Sequence, residues 1–303
     1  MAIIEVSNLS KHYGNVHAVK NISFKVKENA FFALLGPNGA GKSTTIEILS
    51  TLLGKDQGTI KINGYELDTD DDAIRKHLGV VFQYNTLDKD LTVMENLELR
   101  AALYKMTKAE YLKRVETLDR LIQFQSFANQ RIRHLSGGQR RKADIARALL
   151  HSPRILMLDE PTTGLDPKSR KGLWELILKL KEATKMTILL TTHYMEEVLD
   201  ADHVIILHEG VIRAEDSAEN LRIQYAKDTL KIVPKATLKD LLKRDKIPFR
   251  LVNQTMHIDL KNPFQGIEIV KTYKDAIETF EIVKASMDDV FLNITGERLE
   301  ETL

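Results

Sequence analysis

The sequence predicts an α/β fold: a largely parallel sheet covered on both faces, with an inserted helical lobe and a small α+β domain towards the C-terminus. Three observations predict it. Short, almost unbroken apolar runs alternate with helix-forming stretches up to about residue 213. A strand that is apolar throughout is buried on both faces, the mark of a parallel sheet. One such run, Ala30-Phe31-Phe32-Ala33-Leu34-Leu35, leads through the glycine-rich segment Gly36-Pro37-Asn38-Gly39-Ala40-Gly41-Lys42-Ser43-Thr44 into a helical stretch. Beyond residue 213 the continuous apolar strands give way to shorter alternating ones, such as Met256-His257-Ile258-Asp259-Leu260.

In chain order, residues 2–6 and 22–27 alternate apolar and polar, as half-buried strands do. Gly58 to Gly64 is another alternating strand, closed by an Asn-Gly turn. Asp68-Thr69-Asp70-Asp71-Asp72 reads as a solvated loop and helix start rather than a metal site. Gly79-Val80-Val81-Phe82 is a strand ending at Gln83. Residues 93–127 are helical and highly charged, broken near Met106-Thr107, and form the inserted lobe. Arg140 to Leu150 is a basic helix stopped by Ser152-Pro153. Arg154 to Glu160 is a buried strand ending in two carboxylates, and Lys168 to Glu182 is a helix. Met186 to Thr191 and His203 to Leu207 are two further apolar strands. Residues 216–226 read as a polar linker, and residues 227–303 as an α+β appendage with helices near 236–245, 264–274 and 286–294.

Composition narrows the function classes. The chain has 303 residues with 44 Lys+Arg against 43 Asp+Glu, a balance that offers no basic face for nucleic acid. It has no cysteine, which excludes disulfides and thiolate zinc sites and is compatible with a reducing cytosol. The start Met1-Ala2-Ile3-Ile4-Glu5 lacks the features of a signal peptide. No run approaches the roughly 18 apolar residues of a membrane span. Any membrane function must therefore be borrowed from another polypeptide.

The segment Gly36–Thr44 fits G-x-x-x-x-G-K-[ST], the phosphate-binding pattern. Its glycines let backbone N–H groups turn inward towards an anion, beside the positive end of the following helix dipole. Lys42 can reach β- and γ-phosphates, and the Ser43 hydroxyl can bind Mg²⁺. Asp159, at the end of the Ile155–Leu158 strand, is placed to hold Mg²⁺ through water, and Glu160 to orient or deprotonate an attacking water. Leu135-Ser136-Gly137-Gly138-Gln139 opens the basic helix; read alone, it is either a capped helix start or a second anion site.

In this order, the phosphate loop, Leu-Ser-Gly-Gly-Gln, the strand ending Asp159-Glu160 and a lone His193 after a strand resemble the ATP-binding cassette (ABC) ATPases, a P-loop NTPase family. The resemblance covers residues 1–215. It implies ATP with Mg²⁺, and two cassettes sandwiching two nucleotides. Gly36, Asn38, Gly39, Gly41, Lys42, Ser43 and Thr44 would hold the phosphates. Ser136, Gly137, Gly138 and Gln139 would face the nucleotide of a partner. Gln83 matches the loop that touches Mg²⁺ and moves with the transmembrane partner. Asp166, in Gly164-Leu165-Asp166-Pro167, matches the loop between subunits. His193 matches the switch histidine at the γ-phosphate, and Tyr13 the aromatic position that stacks on adenine. Glu28-Asn29 stands where relatives often carry a glycine turn, a geometry Asn tolerates. His12, His17 and His134 match no such position.

The segment Ser286 to Gly296 is similar to the closing motif of daunorubicin-resistance-type ATPases of the ABC-2 exporter group. Its Val290, Phe291 and Ile294 also fall on one helical face, as in any amphipathic helix packing its own domain. The resemblance thus implies the ATPase subunit of an ABC-2-type exporter: a homodimer, cytoplasmic, bound to the inner face of the membrane through a separate permease, with no nucleic acid and no zinc. The alternative is a soluble ABC protein acting on ribosomes or DNA, but such proteins carry two cassettes, long coiled coils or cysteine-ligated zinc. A P-loop kinase lacks the Ser136–Gln139 signature.

Overall fold

Two twelve-residue strands flank the turn at Gly14 and Asn15, and they set the architecture of the N-terminal half: β1 (Ala2–Tyr13) and β2 (Val16–Lys27). The computed structural model describes residues 1–297. Contacts divide the chain into two units, Met1–Ser217 and Ala218 onward.

In the first unit, elements follow in the order β3 (Phe31–Leu35), α1 (Lys42–Leu49), β4 (Gln57–Ile62), β5 (Tyr65–Glu66), α2 (Asp71–His77), β6 (Leu78–Val81), α3 (Val93–Leu103), α4 (Lys108–Ile122), α5 (Gly137–Leu149), β7 (Ile155–Asp159), α6 (Pro167–Thr184), β8 (Thr187–Thr192), β9 (His203–His208) and β10 (Val211–Asp216). They form two sheets. The six-stranded sheet runs β10-β9-β3-β8-β7-β6, parallel throughout except for β10 at its edge. The second sheet, β2-β1-β4-β5, is antiparallel. The expected parallel sheet is present; the antiparallel layer is an addition to the sequence reading. One core unites them: Ile4, Val6, Phe24 and Ile60 of the antiparallel sheet share a buried cluster with Phe32, Leu34, Met157 and Leu189 of the parallel sheet and Ile46 and Leu49 of α1.

Local chemistry fixes the element ends. Asn63 (φ 52°) and Gly64 (φ 86°) form the tight turn between β4 and β5, and Asn29 takes φ 60° before β3. The lobe breaks where Thr107 caps α4; Thr92 caps α3 in the same way, each in a capping box with Glu110 and Glu95. The acidic run at 68–72 is the loop into α2, as expected.

The second unit consists of α7 (Ala218–Tyr225), β11 (Thr229–Pro234), α8 (Leu238–Arg244), β12 (Arg250–Val252), β13 (Thr255–Asp259), α9 (Pro263–Thr272), β14 (Ile277–Val283) and α10 (Met287–Thr295). Its antiparallel sheet runs β12-β13-β11-β14. After α7, the β-α-β-β-α-β order with this strand arrangement is the split-βαβ, ferredoxin-like pattern. Leu230, Ile232, Leu238, Leu242, Met256, Ile258 and Ile269 form its core. α10 packs on α7, burying Val290 and Phe291 with Ile294 half-buried. The stretch 216–226 that reads as a linker thus contains a helix, α7, with Ala218 and Leu221 buried. The appendage expected over 227–303 reaches, in its last six residues, outside the described residues.

Candidate functional site

Neighbouring parallel strands point the same way, so the loops after them gather at one edge of the sheet, where open α/β sheets bind ligands. β3 runs into Gly36, β8 into His193, β7 into Glu160, and β6 into Phe82 and Gln83; these four strands are adjacent.

The phosphate loop has the backbone its motif requires. Gly39 has φ 80° and Gly41 φ 99°. A Cβ on Gly41 would lie 2.5 Å from the Ala18 carbonyl oxygen, so the angle and the packing against β2 both demand glycine. Gly41 gives α1 no side-chain cap, and the first turn carries no acidic residue. The N–H groups and the positive end of the dipole there suit an entering anion. Gly36 is buried, Asn38 and Gly39 are exposed, and Ser43 and Thr44 are half-buried.

Glu160 is the hub. Its Oε1 lies 3.0 Å from Lys42 Nζ, both side chains being almost fully buried. Its Oε2 lies 3.2 Å from His193 Nδ1, 3.4 Å from Gln83 Nε2, and 3.1 Å from the donating Thr163 hydroxyl. Lys42 Nζ also donates to the carbonyls of Gly36 (2.8 Å) and Pro37 (3.0 Å). Burial by itself would raise the Glu160 carboxyl, but His193 and Lys42 outweigh it and hold it down at about 2. Glu160 also adopts φ 44°, an unusual backbone conformation for a side-chain-bearing residue. Its N–H is fixed by the Thr191 carbonyl at 3.1 Å.

Asp159, 3 % exposed, accepts from the Ser43 hydroxyl (3.1 Å) and the Thr191 hydroxyl (2.5 Å). Burial raises its carboxyl, and those two hydrogen bonds oppose the rise. The donor set is all hard oxygen, which fits Mg²⁺. His193 Nε2 is buried and has no hydrogen-bond partner among the described residues.

The remaining predicted residues form a second group. Ser136 caps α5: its Oγ accepts from Gln139 N (3.3 Å), while Gln139 Oε1 accepts from Ser136 N (3.0 Å). The helix start is thus capped and also presents Gly137 and Gly138 at its tip. A Cβ on Gly138 would meet Ser169 Oγ of α6 at 2.9 Å, so this glycine is also a packing requirement. Asp166 caps α6 by accepting from Ser169 N (3.0 Å), and hydrogen bonding from the Ser169 hydroxyl and then its N–H lowers the carboxyl. Among the described residues, no hydrogen bond or ion pair joins Ser136, Gly137, Gly138, Gln139 or Asp166 to Lys42, Ser43, Asp159, Glu160 or His193. Tyr13, at the hairpin end of β1, is 45 % exposed and stands apart from both groups.

Three contributors escaped the sequence reading: Thr191, which serves Asp159 and Glu160; Thr163; and Arg141, whose guanidinium donates to the carbonyls of Phe82 (2.6 Å) and Gln83 (3.1 Å) and so ties α5 to the Gln83 loop. The only signal for Arg141 was its place in a basic stretch.

Comparisons with known proteins agree with this geometry. The family described as ABC transporter matches residues 19–163. The chain is 33 % identical to the daunorubicin/doxorubicin resistance ATP-binding protein DrrA of Streptomyces peucetius, over 98 % of this chain and 94 % of that one. It is 39 % identical to a Nod factor export ATP-binding protein I of Cupriavidus metallidurans, over 73 % of each. Among solved structures, the dimeric post-hydrolysis ATP-binding cassette MJ0796, bound to ADP and Pi, matches with a TM-score of 0.64 and 32 % identity, covering 71 % of this chain and 98 % of that one. The catalytic fold, the phosphate loop and the full-length relatives converge: the chain belongs to the ABC transporter family, as an ATP-binding and ATP-hydrolysing subunit that powers a transporter.

Proposed function

We propose that the chain is the ATPase of an ABC-2-type exporter, acting as a homodimer on a separate permease at the cytoplasmic face of the membrane. The observation that carries the catalytic assignment is the convergence of Lys42, Gln83 and His193 on the ionised, buried Glu160 carboxylate. On ATP entry, the triphosphate competes with Glu160 for Lys42, and the released carboxylate accepts a proton from the attacking water. His193 directs its unpartnered Nε2 to the γ-phosphate. The N–H groups of Gly36 to Thr44 bind the phosphate oxygens, and Tyr13 offers its exposed ring to adenine. Ser43 and Asp159, with Gln83, would hold Mg²⁺, which supplies positive charge against the triphosphate during phosphoryl transfer.

Ser136, Gly137 and Gly138 would contact a γ-phosphate held by the partner's Lys42, with Gln139 fixing Ser136 through the cap and Asp166 lying between the subunits. Support for the homodimer is that one chain carries both halves of such a site while, among the described residues, no hydrogen bond or ion pair joins them. The exposed apolar side chains Tyr84, Leu99 and Leu103, beside Gln83 and on the lobe, suit contact with the permease. Among the described residues, no helix is long and apolar enough to cross a membrane. Export follows the drug-resistance and Nod factor export functions of the relatives, and residues 227–303 would be the accessory domain of their daunorubicin-resistance type.

The test is Glu160→Gln in the full chain: ATP should still bind and drive dimerisation, with hydrolysis nearly abolished. Turnover at the wild-type rate would remove Glu160 from the mechanism.

A further inference from the structure

Glu197 is a carboxylate for which the mechanism above has no use. It sits in the short 3₁₀ turn Met195–Val198 that follows His193, and it is 2 % exposed. Burying a carboxylate is costly unless its oxygens are paired. Both are. The Thr162 hydroxyl donates to Oε1 at 2.5 Å, and the Thr192 hydroxyl donates to Oε2 at 2.6 Å. Thr162 and Thr192 are themselves fully buried. No lysine or arginine forms an ion pair with Glu197 among the described residues.

The two threonines are not arbitrary partners. Thr162 is two residues beyond Glu160, and Thr192 immediately precedes His193. Glu197 therefore closes a ring. It runs from Glu160 along the backbone to Thr162, across the carboxylate to Thr192, on to His193, and back through the 3.2 Å contact between His193 Nδ1 and Glu160 Oε2. Thr192 Oγ1 also accepts from Tyr194 N at 2.9 Å, so the hydroxyl that donates to Glu197 is anchored to the backbone beyond His193. Two donating hydroxyls need two acceptor oxygens. A carboxylate supplies them; an amide of the same shape accepts from only one, and holds the other hydroxyl only by reversing that link, with the hydroxyl turning its proton away to accept from the NH₂.

We propose that Glu197 is a positioning residue for ATP hydrolysis, which locks the Glu160 and His193 loops in the register where the two side chains meet. This rests on the catalytic roles proposed above for Glu160 and His193. The bridge acts on the geometry of the hydrolytic step and leaves the phosphate loop, and hence ATP affinity, untouched.

The experiment is a double-mutant cycle on the full-length protein, reading kcat, KM and ATP affinity for E197Q, H193A and E197Q/H193A. E197Q should lower kcat roughly ten- to hundredfold, the scale of a catalytic group displaced by about 1 Å, with ATP affinity unchanged. In the H193A background the same substitution should cost little more, because the register it protects has lost its purpose. Thr162→Val, which removes one link without altering Glu197, should repeat both results and carries the test if E197Q does not fold. A wild-type kcat in the variant, or losses that multiply in the double variant, would overturn the proposal. If H193A and E160Q themselves turn over normally, the reading of the site fails; if they are impaired and E197Q is not, only the role of Glu197 fails.

Discussion

The two units of the chain handle charge in opposite ways. In the first, Lys42, Asp144, Asp159, Glu160, Glu197 and His208 are all buried. In the second, among the described residues, no side chain counted as buried and polar or charged is found. Its ion pairs, Arg244–Asp245 and Arg250–Asp259, lie at the surface. Its interior is Leu, Ile and Met, with Tyr273 turning its hydroxyl to Asp245. Both units are stabilised by apolar burial, which needs no interior charge. Lys42, Asp159 and Glu160 therefore mark where the first unit gives up stability at the proposed site. The second unit carries no such mark among the described residues.

Substitutions can break or sharpen this contrast. The largest effect should come from E160Q, which should cut kcat by about 10² to 10⁴ while the protein stays folded and binds ATP; stopped-assay phosphate release and equilibrium binding measure the two. Next is Lys42→Ala. It strands the buried Glu160 carboxylate, and should destabilise the first unit by about 3 kcal/mol as well as weaken ATP binding. Unchanged affinity would count against the phosphate-loop assignment. If the ion pair is the cause, adding E160Q to K42A should recover part of the melting temperature.

The matching change in the second unit is Leu242→Ala, at a fully buried core position. It should cost about 2–5 kcal/mol, seen as an earlier melting step, with kcat unchanged. A fall in kcat would break the contrast and give the second unit a part in hydrolysis.

Acid should sharpen it. The Glu160 carboxyl is held at about 2, below its ordinary value, so its contribution to stability is complete above that ordinary value and fades as pH falls towards 2. Burial pushes Asp159 and Glu197 up, in the opposite sense. The stability difference between wild type and E160Q should therefore shrink between about pH 4.3 and 2, a trend that denaturant titrations at fixed pH would follow. The smallest effect is expected at Phe280, half-exposed on the edge strand β14: Phe280→Ser should move stability by less than about 0.5 kcal/mol.

What could be read in the sequence was what is written locally. The phosphate loop needs glycines at fixed positions, the Thr107 cap breaks the lobe within its own turn, and the strand apolar through Leu158 carries its next two carboxylates to the sheet edge. What escaped depends on partners far along the chain. Pairing of β1 with β2 and β4 creates a second sheet that alternation alone does not assign. The turn at Asn253 and Gln254, with φ 45° and 69°, carries no glycine to announce it. α7 buries only Ala218 and Leu221, too few apolar residues to stand out from a polar linker. The site followed the same rule: each motif was visible, whereas the meeting of Lys42 with Glu160, and the bonds of Thr191 to the Asp159 carboxylate and the Glu160 N–H, exist only once β3, β8 and β7 lie side by side.

The contact at Gly138 reaches beyond packing. With a hydrogen where any other residue has a carbon, the tip of α5 nests directly on Ser169, whose own N–H holds the Asp166 carboxylate. The two turns that an opposing subunit would touch are thereby in direct contact through Gly138 and Ser169. A single added methyl at Gly138 would push against Ser169 and force the two turns apart.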